Sequence, residues 1–478
     1  MLTRAITKKD QETMDCLCIS RLTSMLSCLF LITACINSSN EETIAEIDTR
    51  PTMAEFFGAQ LETPTLNFSS EKMTNSVLAA NQAALSFFKH EVNSSPESNH
   101  VLIPWPMFGT LALASSASHG DTAEELHLAL SAFEPEPDWQ NTYLALLQSQ
   151  AALLSSGTGI IRQDLWSQFD SQFELNFLQH ISSSFQARFH STDFKSAEDI
   201  HDDVSNLATQ YSGENYNVYL EEYANTRLMA LSQLRIDGEF DLNTLQLELF
   251  EGLFENEAGD LIRTPMLRIQ GDLGYYENHE FTAYRIPLSD NQLSLISIQP
   301  KEAMHEFIGN NLAGVVESLK GSWETKDTQA VLPVITIQNS NTGSWLAKWL
   351  DISLLYSERF ANLRNMDRNG GLYMQGLDWS HGLEISEQGI ALSGIAGHAV
   401  TFSPQNIFGP GDGNPINGSV TIIKTTIYFC IDATPDLSSG FLLVMDSESG
   451  LIHSVMQLKK LNGEFEGRRT NCIHVNWG

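Results

Sequence analysis

The spacing of apolar residues changes character once along this chain, and that change sets the fold class. Between residues 74 and 210 the spacing is helical; after residue 226 it alternates. TNSVLAANQAALSFFKHEV, beginning at Thr74, puts Val77, Leu78, Ala84, Leu85 and Phe88 near one stripe, as a helix with one buried face requires. In TAEELHLAL, Thr122 can cap a helix and Glu125 stands three residues on, the arrangement of a capping box. Two further helical stretches centre on FLQHISSSF and AEDIHDDVSNLATQY. Beyond them, FTAYRIPLSDNQLSLISIQP reads as a hairpin, with Asp290-Asn291 between two alternating runs. VTIIKTTIYFCIDA and SGFLLVMDS read as an apolar strand pair. Helices early and strands late, without a βαβ rhythm, predict an α+β fold with mainly antiparallel or mixed sheets.

The chain has 478 residues, enough for two or three average domains or one large one. With 42% hydrophobic and 18% charged residues, a substantial core is expected. The formal net charge of −32 argues against nucleic acid as a partner. No internal repeat stands out, and no run is long and apolar enough for a permanent membrane span.

Arg4, Lys8, Lys9 and Arg21 precede the apolar run MLSCLFLITA, which leads into Ile32-Thr33-Ala34-Cys35. This resembles the lipobox of bacterial lipoproteins. The resemblance implies a signal peptide over residues 1–34, a lipid on Cys35, and an acidic tether over residues 35–72. The protein is then expected to be exported: an outer-membrane-anchored lipoprotein, or extracellular or periplasmic. A plain secretory signal is the alternative. Downstream, Cys430 and Cys472 remain, without metal-ligand spacing. A disulfide between them and a buried free Cys430 are both compatible with the sequence.

No G-x-S-x-G elbow, H-E-x-x-H pair or P-loop occurs. His119 and His127 are eight residues apart, so they do not form a zincin pair. GPGDGNPING is rich in glycine but does not open a helix after a strand. We therefore expect no enzyme, no metal and no cofactor. What does stand out is LEISEQGIALSGIAGHAV, residues 383–400. Glu384 to Gln388 alternate as a half-buried strand, and after Gly389 the chain becomes small and uncharged.

Several motifs, in consistent order, resemble the serpin family. They are NHVLIPWPMFGTLALASSASHGDTAEELHLAL, DLWSQFDSQFELNFLQHISSSFQARFHSTDF, LFENEAGDLIRTPML, YRIPLSDNQLSLISIQP, WLDISLLYSERFANLRNM and LEISEQG. The resemblance implies an α+β serpin-like fold over residues 73–461, with about three β-sheets, eight or nine helices and an exposed reactive centre loop at about 389–420. Residues 462–478 would form a C-terminal tail. It implies a suicide substrate: a serine protease cuts the loop, forms a covalent acyl complex, and is trapped as the loop enters the largest sheet as a new central strand. Such a protein is expected to be a monomer. The alternative is a non-inhibitory binding or scaffold protein of the cell envelope.

By this resemblance Glu387, Gly389, Ile390, Ala391, Leu392, Ser393 and Gly394 form the hinge of the loop. Insertion demands an uncharged inner face, because a buried unpaired charge costs several kcal/mol. Ile390, Leu392, Gly394 and Ala396 would face inward, with Ser393 on the other side. Ile390 and Leu392 are larger than the family pattern and could overpack the sheet by about 1–3 kcal/mol unless the site is enlarged. Ile103 and Pro106 replace two serines that help control sheet opening, Ser232 an asparagine, Phe240 a tryptophan, Trp379 a histidine near the opening, and Val334 a lysine that pairs with Glu387.

Counting forward from Gly389 by the family's spacing puts the scissile bond near Ser403-Pro404. Counting back from TTIYFCI puts it near Asn414-Pro415, with Val400, Phe402 and Phe408 as further candidates. Lys424 is the first basic residue after Gly389. A trypsin-like pocket needs such a residue, so the expected targets are proteases of the chymotrypsin, elastase or subtilisin type.

Overall fold

Helices open the fold, as their spacing predicts. The computed structural model describes residues 70–95, 98–131, 159–185, 187–212, 225–289, 292–301, 314–316, 318–319, 323–341, 347, 350–402 and 435–468. Helix α1 (Ser70–Ser94) begins four residues before Thr74 and buries Val77, Ala84, Leu85 and Phe88. Helix α2 (Pro104–Ala117) contains no charged residue and is buried on nearly every side. A helix apolar all round belongs at the centre of a core, and its first residue is proline, whose missing N–H costs nothing there. Helices α3 (Gly120–Ser131), α4 (Leu175–Ser184) and α5 (Ala197–Ser212) follow, with a 3-10 turn at Leu354–Tyr356.

The capping box expected at Thr122 is absent, because α3 starts two residues earlier, at Gly120. Thr122 Oγ1 instead accepts the backbone N–H of Asn362 at 3.0 Å. The Glu125 carboxylate accepts the N–H of Leu354 at 2.8 Å. Both side chains therefore hold a segment more than 200 residues away.

The strands are β1 (His100–Leu102), β2 (Gly159–Gln168), β3 (Arg188–Thr192), β4 (Thr226–Glu239), β5 (Leu245–Glu255), β6 (Asp260–Glu277), β7 (Phe281–Pro287) and β8 (Leu293–Pro300). They continue as β9 (Glu324–Pro333), β10 (Ile335–Asn341), β11 (Leu372–Ser386), β12 (Gly389–Phe402), β13 (Leu437–Ser438), β14 (Gly440–Asp446), β15 (Ile452–Leu458) and β16 (Glu464–Arg468). A six-stranded sheet runs β10-β11-β12-β4-β2-β3. A ten-stranded sheet runs β1-β15-β14-β8-β7-β6-β5-β13, with β9 and β16 also on β6.

Three sheets were expected, and two are joined by hydrogen bonds among the described residues. The difference lies in β6, whose 18 residues belong to two strand sets at once. One edge of β6 pairs first with β5 and then with β7; the other pairs with β16 and then β9. The strand passes from one partner to the next at Gly271, whose φ of 154° suits glycine. Five α-helices are delimited among the described residues, against the eight or nine expected.

The predicted hairpin is formed by β7 and β8, paired antiparallel from Phe281↔Pro300 to Pro287↔Ser294; its Asp290-Asn291 turn lies outside the described residues. The expected partner of SGFLLVMDS is corrected. β14 is flanked by β8 and β15, so both of its edges are taken, and VTIIKTTIYFCIDA lies outside the described residues. The expected C-terminal tail is ordered at its start, where β16 pairs antiparallel with β6.

One face of the six-stranded sheet rests on α2, within a core that includes Trp105, Phe108, Leu165, Leu234 and Leu392. On the other face α5 presents Ile200, Val204 and Ala208, four residues apart, to Trp166, Met229, Leu231 and Ile395. Burying each large side chain of this kind stabilises by roughly 1.5–3 kcal/mol.

Candidate functional site

The segment singled out by its neutrality is the central strand of the six-stranded sheet. β11 ends at Ser386, Glu387 and Gln388 form a two-residue turn, and β12 starts at Gly389. In this structure the first part of the expected reactive loop is therefore not displayed to solvent. Each residue from Gly389 to Thr401 pairs antiparallel with β4, and nearly all of them pair with β11 as well. β12 thereby satisfies the backbone groups on the facing edges of both β4 and β11, as buried segments require. The neutral, small side chains of Gly389–Phe402 allow the gap to close.

Gly389 adopts φ 151°, and a Cβ built there would lie 1.9 Å from the Gly238 carbonyl oxygen. Only glycine fits at the point of entry. Ile390 and Leu392 are buried at 4% and 0% exposure, and the site around Ile390 is enlarged. The room comes from Gly238 on β4, where a Cβ would sit 3.2 Å from Ile390 Cγ1 and 2.5 Å from Leu288 Cδ1. Sequence reasoning missed Gly238. Its signal is a glycine inside a strand, which marks a close approach.

As expected, Ile390, Leu392 and Ala396 face the main core. Gly394 faces the start of α2, since a Cβ there would meet Ile103 Cγ2 at 2.8 Å and Pro106 Cγ at 3.2 Å. Ala391 and Ser393 are half-buried, and strand alternation puts them on the opposite face. Glu387 and Gln388 are exposed in the turn.

Of the residues that depart from the family pattern, Ile103, Pro106, Ser232 and Trp379 lie against β12, whereas Phe240 bridges to Leu288 past the end of β4. Ser232 on β4 pairs with Ala396 and donates from its hydroxyl to Gln163 Oε1 at 2.6 Å. Trp379 is corrected in place: it pairs with Ala396 in mid-strand, well away from the Gly389 entry. His381, paired with Gly394, is the side chain that reaches the head of α2. Its Nδ1 accepts the Ile103 N–H at 3.2 Å, and its ring stacks on Trp379 at 4.5 Å. Burial drives the His381 pKa down to about 3, so the ring stays neutral and can accept. Val334 is half-buried between β9 and β10 and donates its N–H to the Pro265 carbonyl.

At the far end of β12, Val400 is buried at 1% exposure. The Phe402 ring, 36% exposed, lies under the Arg227 guanidinium at 5.5 Å and against Gly371. His398 was also missed. It is buried at 4% exposure, and neither ring nitrogen has a hydrogen-bond partner among the described residues. Ser403, Pro404, Phe408, Asn414, Pro415, Cys35, Cys430 and Cys472 lie outside the described residues.

A sheet that holds a hinge glycine, a neutral fourteen-residue strand and a buried polar seam below it defines the serpin class of fold. The family model described as "Serpin (serine protease inhibitor)" matches residues 78–407. The chain belongs to the serpin family. Serpin B5 of Xenopus tropicalis is 21% identical over 329 residues, covering 65% of this chain and 86% of that protein. Among solved structures, cleaved Serpin 42Da superposes with a TM-score of 0.65 at 15% identity, over 82% of this chain and 99% of that one. Thyroxine-binding globulin complexed with thyroxine-fluorescein gives 0.59 at 15% identity, over 70% and 99%.

Proposed function

We propose that this chain inhibits serine proteases as a suicide substrate, through cleavage of its reactive loop and insertion of the residues after Gly389. The observation that carries this reading is the fit of Gly389–Phe402 between β4 and β11, paired on both edges over most of its length and without an Asp, Glu, Lys or Arg side chain. The protease's serine attacks a carbonyl beyond this strand, the new amine departs, and an acyl bond joins the two proteins. Insertion of fourteen residues then draws the acyl end roughly 45 Å from the hinge. The inhibitor supplies no catalytic group.

The scissile bond lies near Ser403-Pro404 or Asn414-Pro415, or at Val400, Phe402 or Phe408, and the targets have apolar pockets. Cys35 carries a lipid that tethers the protein to the cell envelope, and the protein acts as a monomer. The test is incubation with chymotrypsin, elastase and subtilisin, followed by denaturing gels and mass spectrometry. A detergent-stable complex and a cut between residues 396 and 416 are expected. Cleavage without any complex, and without a rise in the unfolding midpoint of the nicked chain, would remove the inhibitory reading.

One observation favours a second reading, a non-inhibitory binding protein of the envelope. A cavity of about 330 Å³ opens between α1, β7, β8 and β14, lined by Val77, Arg285, Ile296, Trp323 and Met445. Arg285 is half-buried, its guanidinium lies 5.3 Å from the Trp323 ring, and burial lowers its pKa. Arg285 shares this lining with Asp446 and Glu448, so the pocket has room for a small aromatic ligand whose own carboxylate would meet Arg285, and thyroxine-binding globulin is a protein of this fold with a small ligand. Calorimetry with aromatic carboxylates separates this reading from the first.

A further inference from the structure

His398 is the one titratable side chain in β12. It shares a face with Ile390, Leu392, Ala396 and Val400, which belong to the main core. It pairs with Ala230 on β4, but on β11 it stands opposite the irregularity between Gln375 and Asp378 and has no partner there. Its ring is buried with both nitrogens unsatisfied among the described residues.

The charges nearby do not reach it. Arg235 and Asp237 of β4 pair with Ser393 and Ala391, Asp378 and Glu384 of β11 pair with Gly397 and Ala391, and all of these positions lie on the opposite face. Arg162 and Asp164 of β2 are paired with each other, and Arg162 lies over Tyr211 beyond the end of the α5 core stripe. Arg227 lies over Phe402. On the core side, α2 contributes no titratable group. α4 contributes His180, and Glu174 at its head is bound to Arg368. β11 contributes His381, whose Nδ1 is occupied by Ile103, and β15 contributes His453, which lies near Trp105. Among the described residues no carboxylate faces the imidazole.

We propose that His398 makes insertion of the loop dependent on pH: the strand enters the sheet only with a neutral imidazole, so the trap closes at neutral pH and slackens in acid. This rests on the reading that the loop lies in solvent before it is cut. In solvent the ring titrates near the ordinary value of roughly 6.5. In the sheet a charged ring would be desolvated without an acceptor or a counter-charge, and burial holds its pKa down at about 3. The inserted form has the lowered pKa, so its advantage is full above about 6.5 and falls as the pH drops below that. The inserted-to-displaced ratio then falls by up to tenfold per pH unit. His381 and His453 sit on β11 and β15 rather than on the inserting strand, and dividing the wild-type rate by that of a His398 variant cancels their contribution.

The test measures how fast the freshly nicked full-length chain becomes heat-resistant at pH 7.5, 6.0 and 5.0, for wild type, His398→Gln and His398→Ala. The wild-type rate, divided by that of either variant at the same pH, is expected to fall several-fold to tenfold per unit between pH 6.5 and 5. In nuclear magnetic resonance spectra the His398 ring proton should titrate near 6.5 before nicking and not above pH 5 after it. A rate ratio that stays constant with pH overturns the inference while leaving insertion itself intact. If no chain becomes heat-resistant at any pH, the inhibitory reading fails and the inference with it.

Discussion

Replacing Gly394 with alanine should weaken the inserted state selectively. The added methyl would lie 2.8 Å from Ile103 Cγ2, 3.0 Å from Ile103 Cβ and 3.2 Å from Pro106 Cγ. Ile103 has no accessible surface, and its backbone N–H is tied to His381. It also leads directly into Pro104, the first residue of α2. The obstacle is thus held in place, and overpacking of this kind costs about 1–3 kcal/mol. At 2 kcal/mol the inserted-to-displaced ratio falls roughly thirtyfold. The assay compares urea unfolding of uncut and nicked chains, wild type against Gly394→Ala. The loss should appear in the nicked chain, where the strand is in the sheet. Ile103→Ala removes the opposing methyl, at its own cavity cost of about 2–5 kcal/mol. Combined with Gly394→Ala it should destabilise the nicked chain by less than the sum of the two changes. A nicked Gly394→Ala chain as stable as wild type, or strict additivity in the double variant, would refute the contact between α2 and β12 on which this reasoning depends.

Ala396→Arg puts a charge on the buried face opposite Ser232 and Trp379. On the proposed inhibitory reading, the chain should become a substrate that is cut without forming a complex, since burying that charge costs several kcal/mol, and denaturing gels would show the change. Glu125→Ala removes the acceptor for the Leu354 N–H and should lower stability by about 1–2 kcal/mol in urea unfolding. His453 is fully buried, with its pKa driven down to about 4 by burial. The folded pKa is lowered, so its stabilising effect is whole above about 6.5 and is lost as the pH falls towards 4, by roughly 3 kcal/mol in total. His453→Gln should flatten that part of the stability–pH curve.

Local signals carried much of the fold. The spacing of Val77, Ala84, Leu85 and Phe88 reports one face of α1 because a helix repeats its faces every few residues. The alternation around the Asp290-Asn291 turn likewise reports the pairing of β7 with β8. The inward set on β12 was legible for the same reason, since one face of a strand must be apolar throughout to be buried. Long-range partners were not legible. Thr122 and Glu125 look like a local cap, but they accept from Asn362 and Leu354, and nothing near them in the sequence says so. The space for Ile390 is made by Gly238, about 150 residues away. Motif alignment placed Trp379 where a histidine was expected. The register with β12 sets His381, two residues on, against α2. His398 reads as one polar residue in a neutral run, and its importance depends on the bulge opposite it on β11.

The short β16 has a consequence for crowding. A sheet with a bare border can accept a strand from a neighbouring molecule, and such borders invite exchange. Along the border of β6 opposite β5, Asp260 to Arg263 are already matched by Glu464–Arg468 of the same molecule. Clipping the chain just before Glu464 would uncover those backbone groups, leaving a vacancy that a second molecule's strand could occupy.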